Sequence, residues 1–327
     1  MQKTLLLKQS DIKNFIKMKE VIDVVETAFK AFALRDVQMP AKEYLFFSDG
    51  DLRIMPCYVQ SKEEAGVKCV SVHPQNPLKQ KLPAVMAIIE LIDPQTGYPL
   101  AVMDGTLITD MRTGAAAGVA TKYLAKSDSK VLGIIGAGKQ ARTQLMALNE
   151  VMDIQKARVF CRTCSTRTKF AETASKTYNL DVEAVETPEI AVKNADVVVT
   201  TTPSRKPFIK ADWISPGTHI NAMGADAPTK QELEPELLLK SKIIIDSWAQ
   251  ASHSGEINTP VARKILKRKD IHAKLGDVIV GNATGREGDE ITIFDSTGLA
   301  VQDVVTAGMI YRQAREKGFG TEFNFLK

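Results

Sequence analysis

The chain has 327 residues, which is long enough for about two domains of ~100–200 residues each. Hydrophobic residues make up 44% and charged residues 25% of the sequence, a balance typical of globular proteins. The net charge is only +4, and there is no arginine-rich run or basic–aromatic stripe, so we expect no nucleic-acid partner. No apolar run approaches the ~20 residues of a membrane-spanning helix, so we expect no membrane contact.

The cysteines and histidines do not have the spacing of a metal site. Cys161 and Cys164 form a CxxC pair, but no second pair and no paired histidines stand nearby, whereas a zinc site needs about four ligands. We therefore expect no metal. The N-terminal apolar stretch at residues 5–7 is too short for a signal peptide, and free thiols without an export signal predict a cytoplasmic protein.

The first region, to about residue 122, combines one helix with several strands. Apolar residues recur at helical spacing from Lys19 to Leu34, which predicts an amphipathic helix. The turn Asp-Pro-Gln-Thr-Gly at residues 93–97 indicates a hairpin, because proline presets one turn residue and glycine supplies a positive φ. Strand-like apolar runs lie at residues 52–56, 66–72, 85–92 and 99–104. This pattern predicts an α+β domain.

From about residue 123, strands alternate with helices, which predicts a doubly wound parallel sheet of the α/β class. The final helix, at residues 301–316, follows the last of these strands, and we expect it to pack back on the first domain. The predicted domains are thus residues 1–122 with 300–327, and residues 123–299. The strands of the second domain are predicted at residues 130–135, 157–161, 196–200, 219–223 and 242–246.

The turn after the first of these parallel strands carries a dinucleotide-binding pattern. Gly136, Gly138 and Ala141 fit G-x-G-x-x-A between an apolar strand and the start of a helix, which is the context that makes the pattern specific. The first glycine permits a tight turn, and the second lets the backbone approach a pyrophosphate at the helix N-terminus. We expect Lys139 and Gln140, which precede Ala141, to contact the cofactor as well.

The residues at the end of the second strand indicate which dinucleotide is bound. NAD-binding units usually place a carboxylate about 20 residues after the glycines, to hold the ribose hydroxyls. This chain instead has Arg162, Thr163 and Arg167 in that region. An arginine pairs with a 2′-phosphate, which a carboxylate would repel. The sequence therefore predicts NADP(H) as the preferred cofactor. The alternative is that both arginines are merely solvated and that NAD(H) is accepted too.

Four long strings show that the chain resembles the ornithine cyclodeaminase/μ-crystallin family, which includes archaeal-type alanine dehydrogenases and ketimine reductases. They are MDGTLITDMRTGAAAGVATKYLA, LGIIGAGKQA, HINAMGADAPTKQEL and FDSTGLAVQD. The resemblance runs nearly from end to end. It implies a homodimer, a Rossmann domain in the middle of the chain, and a small amino, imino or keto acid as substrate in a cleft between the two domains.

The resemblance also implies roles for individual residues. Arg53, Lys68 and Arg112 match family positions that contact the substrate or the nicotinamide end, and fixed cations suit a substrate carboxylate. Asp226 matches the catalytic aspartate of the family, and together with Lys68 it is the candidate for acid–base chemistry. Further expected cofactor contacts are Arg112, Thr113, Thr202, Met223, Gly224, Lys230 and Ser296.

Three activities of the family remain open at this point. One is an amino-acid dehydrogenase or imino-acid reductase, the second is ornithine cyclodeaminase, and the third is a non-catalytic NADPH-binding protein. The first is favoured because Arg53 stands where the cyclodeaminases carry a glutamate, and an arginine would repel a distal ammonium group. The third is disfavoured because a protein that only binds would not need Lys68 and Asp226.

Overall fold

The computed structural model describes residues 3–325 of the chain. Its strands are β1 Thr4–Leu7, β2 Val37–Gln38, β3 Glu43–Phe47, β4 Gly50–Val59, β5 Glu64–Val72, β6 Val85–Ile92, β7 Pro99–Asp104, β8 Val131–Ile135, β9 Lys156–Phe160, β10 Asp181–Ala184, β11 Val197–Thr200, β12 His219–Ala222, β13 Lys242–Ile245, β14 Ala273–Lys274, β15 Thr292–Asp295 and β16 Thr321–Phe323. Its α-helices are α1 Gln9–Lys13, α2 Met18–Ala33, α3 Asn76–Lys79, α4 Gly105–Leu124, α5 Lys139–Val151, α6 Cys164–Tyr178, α7 Pro188–Val192, α8 Pro235–Leu239, α9 Trp248–Ser254, α10 Asn258–Ala262, α11 Leu275–Ile279 and α12 Ala300–Lys317.

The chain divides into two compact units. The first contains the described residues up to Arg112 and those from Leu299 onward, and the second is Thr113–Gly298. The boundary lies inside α4, ten residues before the position that the sequence pattern suggested, residue 122. The sequence did not indicate this helix, because glycine and alanine are spread over all its faces and no apolar stripe stands out.

The first unit is built on a mixed sheet with helices packed against it. The strand order is β16-β1-β7-β6-β5-β4-β2, with β3 also paired to β4, and only the β1–β7 pair is parallel among these ladders. Helix α12 packs on α2 and on β4, β5 and β6. The first eleven residues of α12, Ala300 to Ile310, are all buried, although Gln302 and Asp303 among them are polar. Such polar groups need partners in the core.

Large apolar side chains are exposed on strands β3 and β6 of this sheet. Leu45, Phe46 and Phe47 are 52%, 73% and 50% exposed, and Ile88 on β6 is 57% exposed. On β6 the neighbours of Ile88 along the chain, Ala87 and Ile89, are buried. Because side chains alternate across a strand, Ile88 lies on the face of the sheet opposite to the core. The strand register puts Leu45 and Phe47 on the same face as Ile88, and Phe46 on the other face. Apolar groups exposed together on one face are typical of a surface that is covered by another molecule.

The second unit contains the predicted parallel, doubly wound sheet, so the α/β prediction is confirmed. Its strand order is β10-β9-β8-β11-β12-β15-β13-β14, and every pair is parallel. The residues of β11, β12 and β15 are all buried, as expected of central strands covered on both faces. After β8 the chain first adds β9 and β10 on one side of that strand. It then adds β11 and the later strands on the other side. The switch point of the fold therefore lies between β8 and β11, where such sheets bind ligands.

The buried histidine of this unit, His219, is held by side chains of its own strand and of β15. The His219 ring contacts the Thr292 hydroxyl at 2.9 Å and the Asn221 side-chain oxygen at 3.2 Å. Burial, reinforced by the charge of Arg286, lowers the pKa of His219 to about 3. The ring is therefore neutral near pH 7 and ties β12 to β15 at their amino-terminal ends.

Candidate functional site

The turn after β8 has the backbone geometry that the glycine pattern predicts. Gly136 has φ +105°, a conformation that side chains other than glycine rarely adopt, and a Cβ there would overlap the Thr201 hydroxyl. Its amide donates to the Phe160 carbonyl at 2.8 Å. Gly138 precedes α5 directly, and a Cβ on it would meet no protein atom within 4 Å. Open space therefore lies above the amino end of a 13-residue helix, where an anion is favoured.

A cavity of about 900 Å³ lies at the carboxyl ends of β8, β9 and β11. Its polar lining combines hydroxyl groups with cations, and no Asp or Glu of the described chain is among the lining residues. Arg205 and Lys206, which the sequence reasoning missed, line it together with Arg162. The polar and glycine residues of the wall are Gly136, Gly138, Arg162, Thr163, Thr166, Thr201, Thr202, Ser204, Arg205 and Lys206.

The structure brings only part of the expected cofactor residues into this cavity. Gly136, Gly138, Arg162, Thr163 and Thr202 line it. Arg167 does not line it, but its guanidinium donates to the carbonyl of the lining residue Cys161 at 3.1 Å. Lys139, Gln140 and Ala141 form the first turn of α5 behind the glycines, with Ala141 fully buried. The remaining expected contacts, Arg112, Thr113, Met223, Gly224, Lys230 and Ser296, lie outside the lining.

Three of these remaining residues follow the neighbouring central strands. The Met223 amide donates to the Thr200 carbonyl at 3.0 Å, and the Ser296 amide donates to the Ala222 carbonyl at 3.2 Å. Gly224 packs so closely on the Thr202 backbone that a Cβ would overlap it. The carboxyl ends of β11, β12 and β15 thus meet at one edge of the sheet. Thr113 lies on α4, where its carbonyl accepts from the Gln144 side chain at 3.2 Å.

Asp226 lies in the loop after β12 and forms an ion pair with Lys230. The Asp226 side chain is 35% exposed and that of Lys230 is 16% exposed, so the carboxylate stays accessible to solvent. Asn258 fixes the end of this loop: it accepts from the Thr229 amide at 3.0 Å and donates to the Lys230 carbonyl at 2.8 Å. The loop is held from both sides while its acid remains open to a ligand.

The first unit contains a cluster of buried charges. The Lys68 ammonium lies 2.6 Å from one oxygen of Asp303, and the Arg112 Nε donates to the other at 2.8 Å. Gln302 adds an acceptor for Arg112 at 3.3 Å. Asp303 has no exposed surface, and Lys68 is 1% exposed. One carboxylate therefore holds two cations side by side, on β5 and α4.

The cluster is electrostatically unusual because it has more positive than negative charge in a buried place. Burial, reinforced by the neighbouring Arg112 charge and opposed by Asp303, lowers the pKa of Lys68 to about 7. Burial would raise the pKa of Asp303, but Arg112 and Lys68 together hold it below its ordinary value. Asp303 is therefore an anion at neutral pH, while Lys68 exchanges its proton near neutrality.

Arg53 lies on β4, the strand next to Lys68, and is 5% exposed. Its Nε donates to the Asp51 carboxylate at 2.7 Å, and its guanidinium lies 5.5 Å from the centre of the Tyr44 ring. A guanidinium fixed in this way keeps a planar edge in one orientation, which suits a carboxylate ligand. The structure thus places Arg53, Lys68 and Arg112, all expected to bind substrate, in one unit.

Residues 3–325 contain neither a candidate metal site nor a candidate membrane-spanning helix. No three His, Cys, Asp or Glu side chains there are arranged to hold a metal ion. No helix in that range is both long and apolar enough to cross a membrane.

Comparisons with known proteins agree with this architecture. The alanine dehydrogenase of Archaeoglobus fulgidus is 48% identical over 325 residues, which cover 99% of both chains. The solved structure of an archaeal alanine dehydrogenase dimer with bound NAD matches at a TM-score of 0.96 and 48% identity, covering 99% of this chain and 100% of that one. The structure of the Δ1-pyrroline-2-carboxylate reductase of Thermococcus litoralis, in complex with NADH and L-proline, matches at a TM-score of 0.94 and 44% identity. The match covers 97% of this chain and 99% of that one.

The family profile described as Ornithine cyclodeaminase/mu-crystallin family matches residues 2–318. The resemblance that the sequence strings carry is therefore confirmed. The protein belongs to the ornithine cyclodeaminase/mu-crystallin family.

Proposed function

We propose that the protein is an NAD(P)-dependent oxidoreductase that exchanges a hydride with the α-carbon of a small L-amino or imino acid. The observation that carries the proposal is the buried group of Lys68, Arg112 and Asp303. Buried cations in excess of anions are costly unless a ligand supplies the missing negative charge. The carboxylate of an amino or imino acid supplies it. Relatives named alanine dehydrogenase and Δ1-pyrroline-2-carboxylate reductase act on substrates of this kind.

In this proposal each residue of the site has its own role. Arg53 and Arg112 hold the substrate carboxylate, and Lys68 joins them in its protonated form. Asp226 gives a proton to the substrate nitrogen, or takes one from it, as a general acid or base. Lys230 keeps Asp226 oriented through their ion pair. When bound, the nicotinamide supplies or accepts the hydride. The dinucleotide pyrophosphate lies on the turn at Gly136 and Gly138.

The reaction class is tested by a cofactor-coupled screen of purified protein. We expect oxidation of NAD(P)H with pyruvate plus ammonia or with cyclic imino acids such as pyrroline-2-carboxylate, and reduction of NAD(P)+ with the matching amino acid. The runner-up, ornithine cyclodeaminase, would convert ornithine to proline without net change in NAD(P)H. The buried Arg53 would repel the second ammonium of ornithine, so that result would contradict the proposal.

The pH dependence tests Lys68. Because its pKa is about 7 and the protonated form binds the carboxylate, kcat/KM should fall as the pH rises above about 7. Lys68→Arg, which stays charged, should remove that fall even if its maximal rate is lower. Lys62→Met, at an exposed lysine just after the end of β4, serves as the control and should keep the wild-type profile. A wild-type profile that stays flat through pH 9 would exclude this role.

We propose that NADP(H) is the preferred cofactor, with Arg162 as the cation for its 2′-phosphate. The lining of the cavity contains this arginine, several hydroxyls and no carboxylate of the described chain. The solved relatives named above carry NAD or NADH, so the two cofactors must be compared directly.

Arg162→Ala should lower kcat/KM for NADPH by about 10- to 100-fold, the worth of a hydrogen bond to a charged group, and leave NADH nearly unaffected. The matched control is Lys169→Ala, an exposed cation on α6 that does not line the cavity. Steady-state kinetics of each protein with both cofactors give the ratio of kcat/KM for NADPH to kcat/KM for NADH. Far better turnover with NADH than with NADPH in the wild type would refute the preference.

We also propose that the protein forms a homodimer through the apolar sheet face at Leu45, Phe47 and Ile88. A relative with 48% identity is described as a dimer. Phe47→Asp should weaken association by about 30-fold or more, as loss of an aromatic anchor does, and sedimentation velocity would show it. Leu239→Asp, at a 58% exposed apolar residue of the second unit, is the control. A dimer unchanged by Phe47→Asp would place the interface elsewhere.

A further inference from the structure

Three fully buried carboxyl groups lie in series at the carboxyl edge of the parallel sheet, and the proposed acid–base and binding steps use none of them. Asp295, at the end of β15, accepts from the Glu256 amide at 2.8 Å and from the Ile257 amide at 3.1 Å. Glu256 in turn accepts from the Glu232 amide at 2.8 Å and the Leu233 amide at 2.6 Å. Each carboxyl group therefore fixes the backbone that carries the next one.

The series ends on the wall of the cavity. One oxygen of Glu232 accepts from the Thr202 amide at 2.7 Å and from the Thr202 hydroxyl at 2.6 Å. Thr202 lines the cavity directly. On its other side the Glu232 carboxyl packs on Gly224, where a Cβ would overlap both the carboxyl group and the Thr202 backbone. The glycine thus leaves the space that Glu232 occupies.

The same series encloses the loop that carries Asp226. The loop starts at Gly224 against the Glu232 carboxyl, and it ends where the amides of Glu232 and Leu233 donate to Glu256. Both ends of the loop therefore depend on these buried acids. A displacement of Glu232 would move Thr202 and the start of the Asp226 loop together.

Burying carboxyl groups to hold loops together costs free energy. Burial raises the pKa of Glu232 to about 7 and that of Asp295 to about 8, and it raises the pKa of Glu256 well above its ordinary value. Apolar side chains of similar size would often stabilise a core as well or better. They could not, however, accept hydrogen bonds from backbone amides and so fix a loop in one position.

We propose that Glu232 is a positioning residue for the dinucleotide: it sets Thr202 at the cavity wall, and Glu256 and Asp295 hold Glu232 in place. The inference rests on the proposed function in one respect, namely that the cavity takes the nicotinamide dinucleotide. It adds a residue that does not touch the cofactor and acts through Thr202.

The test compares wild type with Glu232→Ala, Glu232→Asp and Glu232→Gln. The aspartate keeps the charge but is one methylene too short to reach Thr202, and it guards against an alanine variant that fails to fold. The glutamine keeps the acceptor oxygen. Glu236→Ala is the control, since Glu236 is an exposed carboxylate in the same segment, paired with Lys240. Three quantities are measured: the Kd of NADPH and NADH by nicotinamide fluorescence, hydrogen exchange of the amides at residues 201–204 without cofactor, and the Tm.

We expect the alanine and aspartate variants to weaken cofactor binding by about tenfold or more, since they lose the links to Thr202. Exchange at residues 201–204 should become faster in both variants, while the glutamine variant and the control stay near wild type. A lower Tm with unchanged exchange and unchanged Kd would make the role of Glu232 purely structural and overturn the inference. Faster exchange with unchanged Kd would instead overturn the cofactor role of Thr202, and with it the functional half of the inference.

Discussion

A lysine enclosed between a sheet and a helix needs a carboxylate within reach, and the first unit is arranged around that requirement. Lys68 on β5 faces Asp303 on α12, and the same carboxylate takes Arg112 from α4. The helix that supplies Asp303 is buried along its first three turns, so the ion cluster is embedded in the core that holds the sheet and helices together. Binding groups and hydrophobic packing are therefore coupled in this unit. A change that loosened α12 would also release the cations.

The second unit is subject to a different constraint, because several loops at one edge of its sheet must be held in fixed positions. Parallel strands bring their carboxyl ends together, and the backbone amides of the loops that follow need partners outside the strand ladder. Here the amides of the loops are satisfied largely by buried side-chain carboxyls, from Asp295 to Glu232. Asp246 does the same for the amides of Thr297 and Gly298, at 2.6 and 2.9 Å. The loop geometry is thus fixed by side chains of the sheet edge.

Local patterns in the sequence predicted what depends on local chemistry. The glycine turn, the alternation of strands and helices, and α2 and α12 follow from residue spacing, and the structure has them within a few residues of the predicted bounds. Helix α4 was missed because its glycines and alanines give no periodic contrast. Asp303 was missed for another reason: it is 191 residues from Arg112 along the chain, and nothing local marks the contact. The one available signal was a polar pair, Gln302 and Asp303, inside a mostly apolar helical stretch.

The turn at Gly136 and Gly138 has a further consequence for how cofactor preference can change. Both positions lack side chains, so whatever binds there is met by backbone groups and the end of α5. The residues that line the cavity at the end of β9, in contrast, carry side chains; they include Arg162 and Thr163. If the common pyrophosphate lies on the first and the ribose phosphate on the second, the two recognition tasks are separable. Substitutions after β9 can then exchange one dinucleotide for the other while the glycine turn stays as it is.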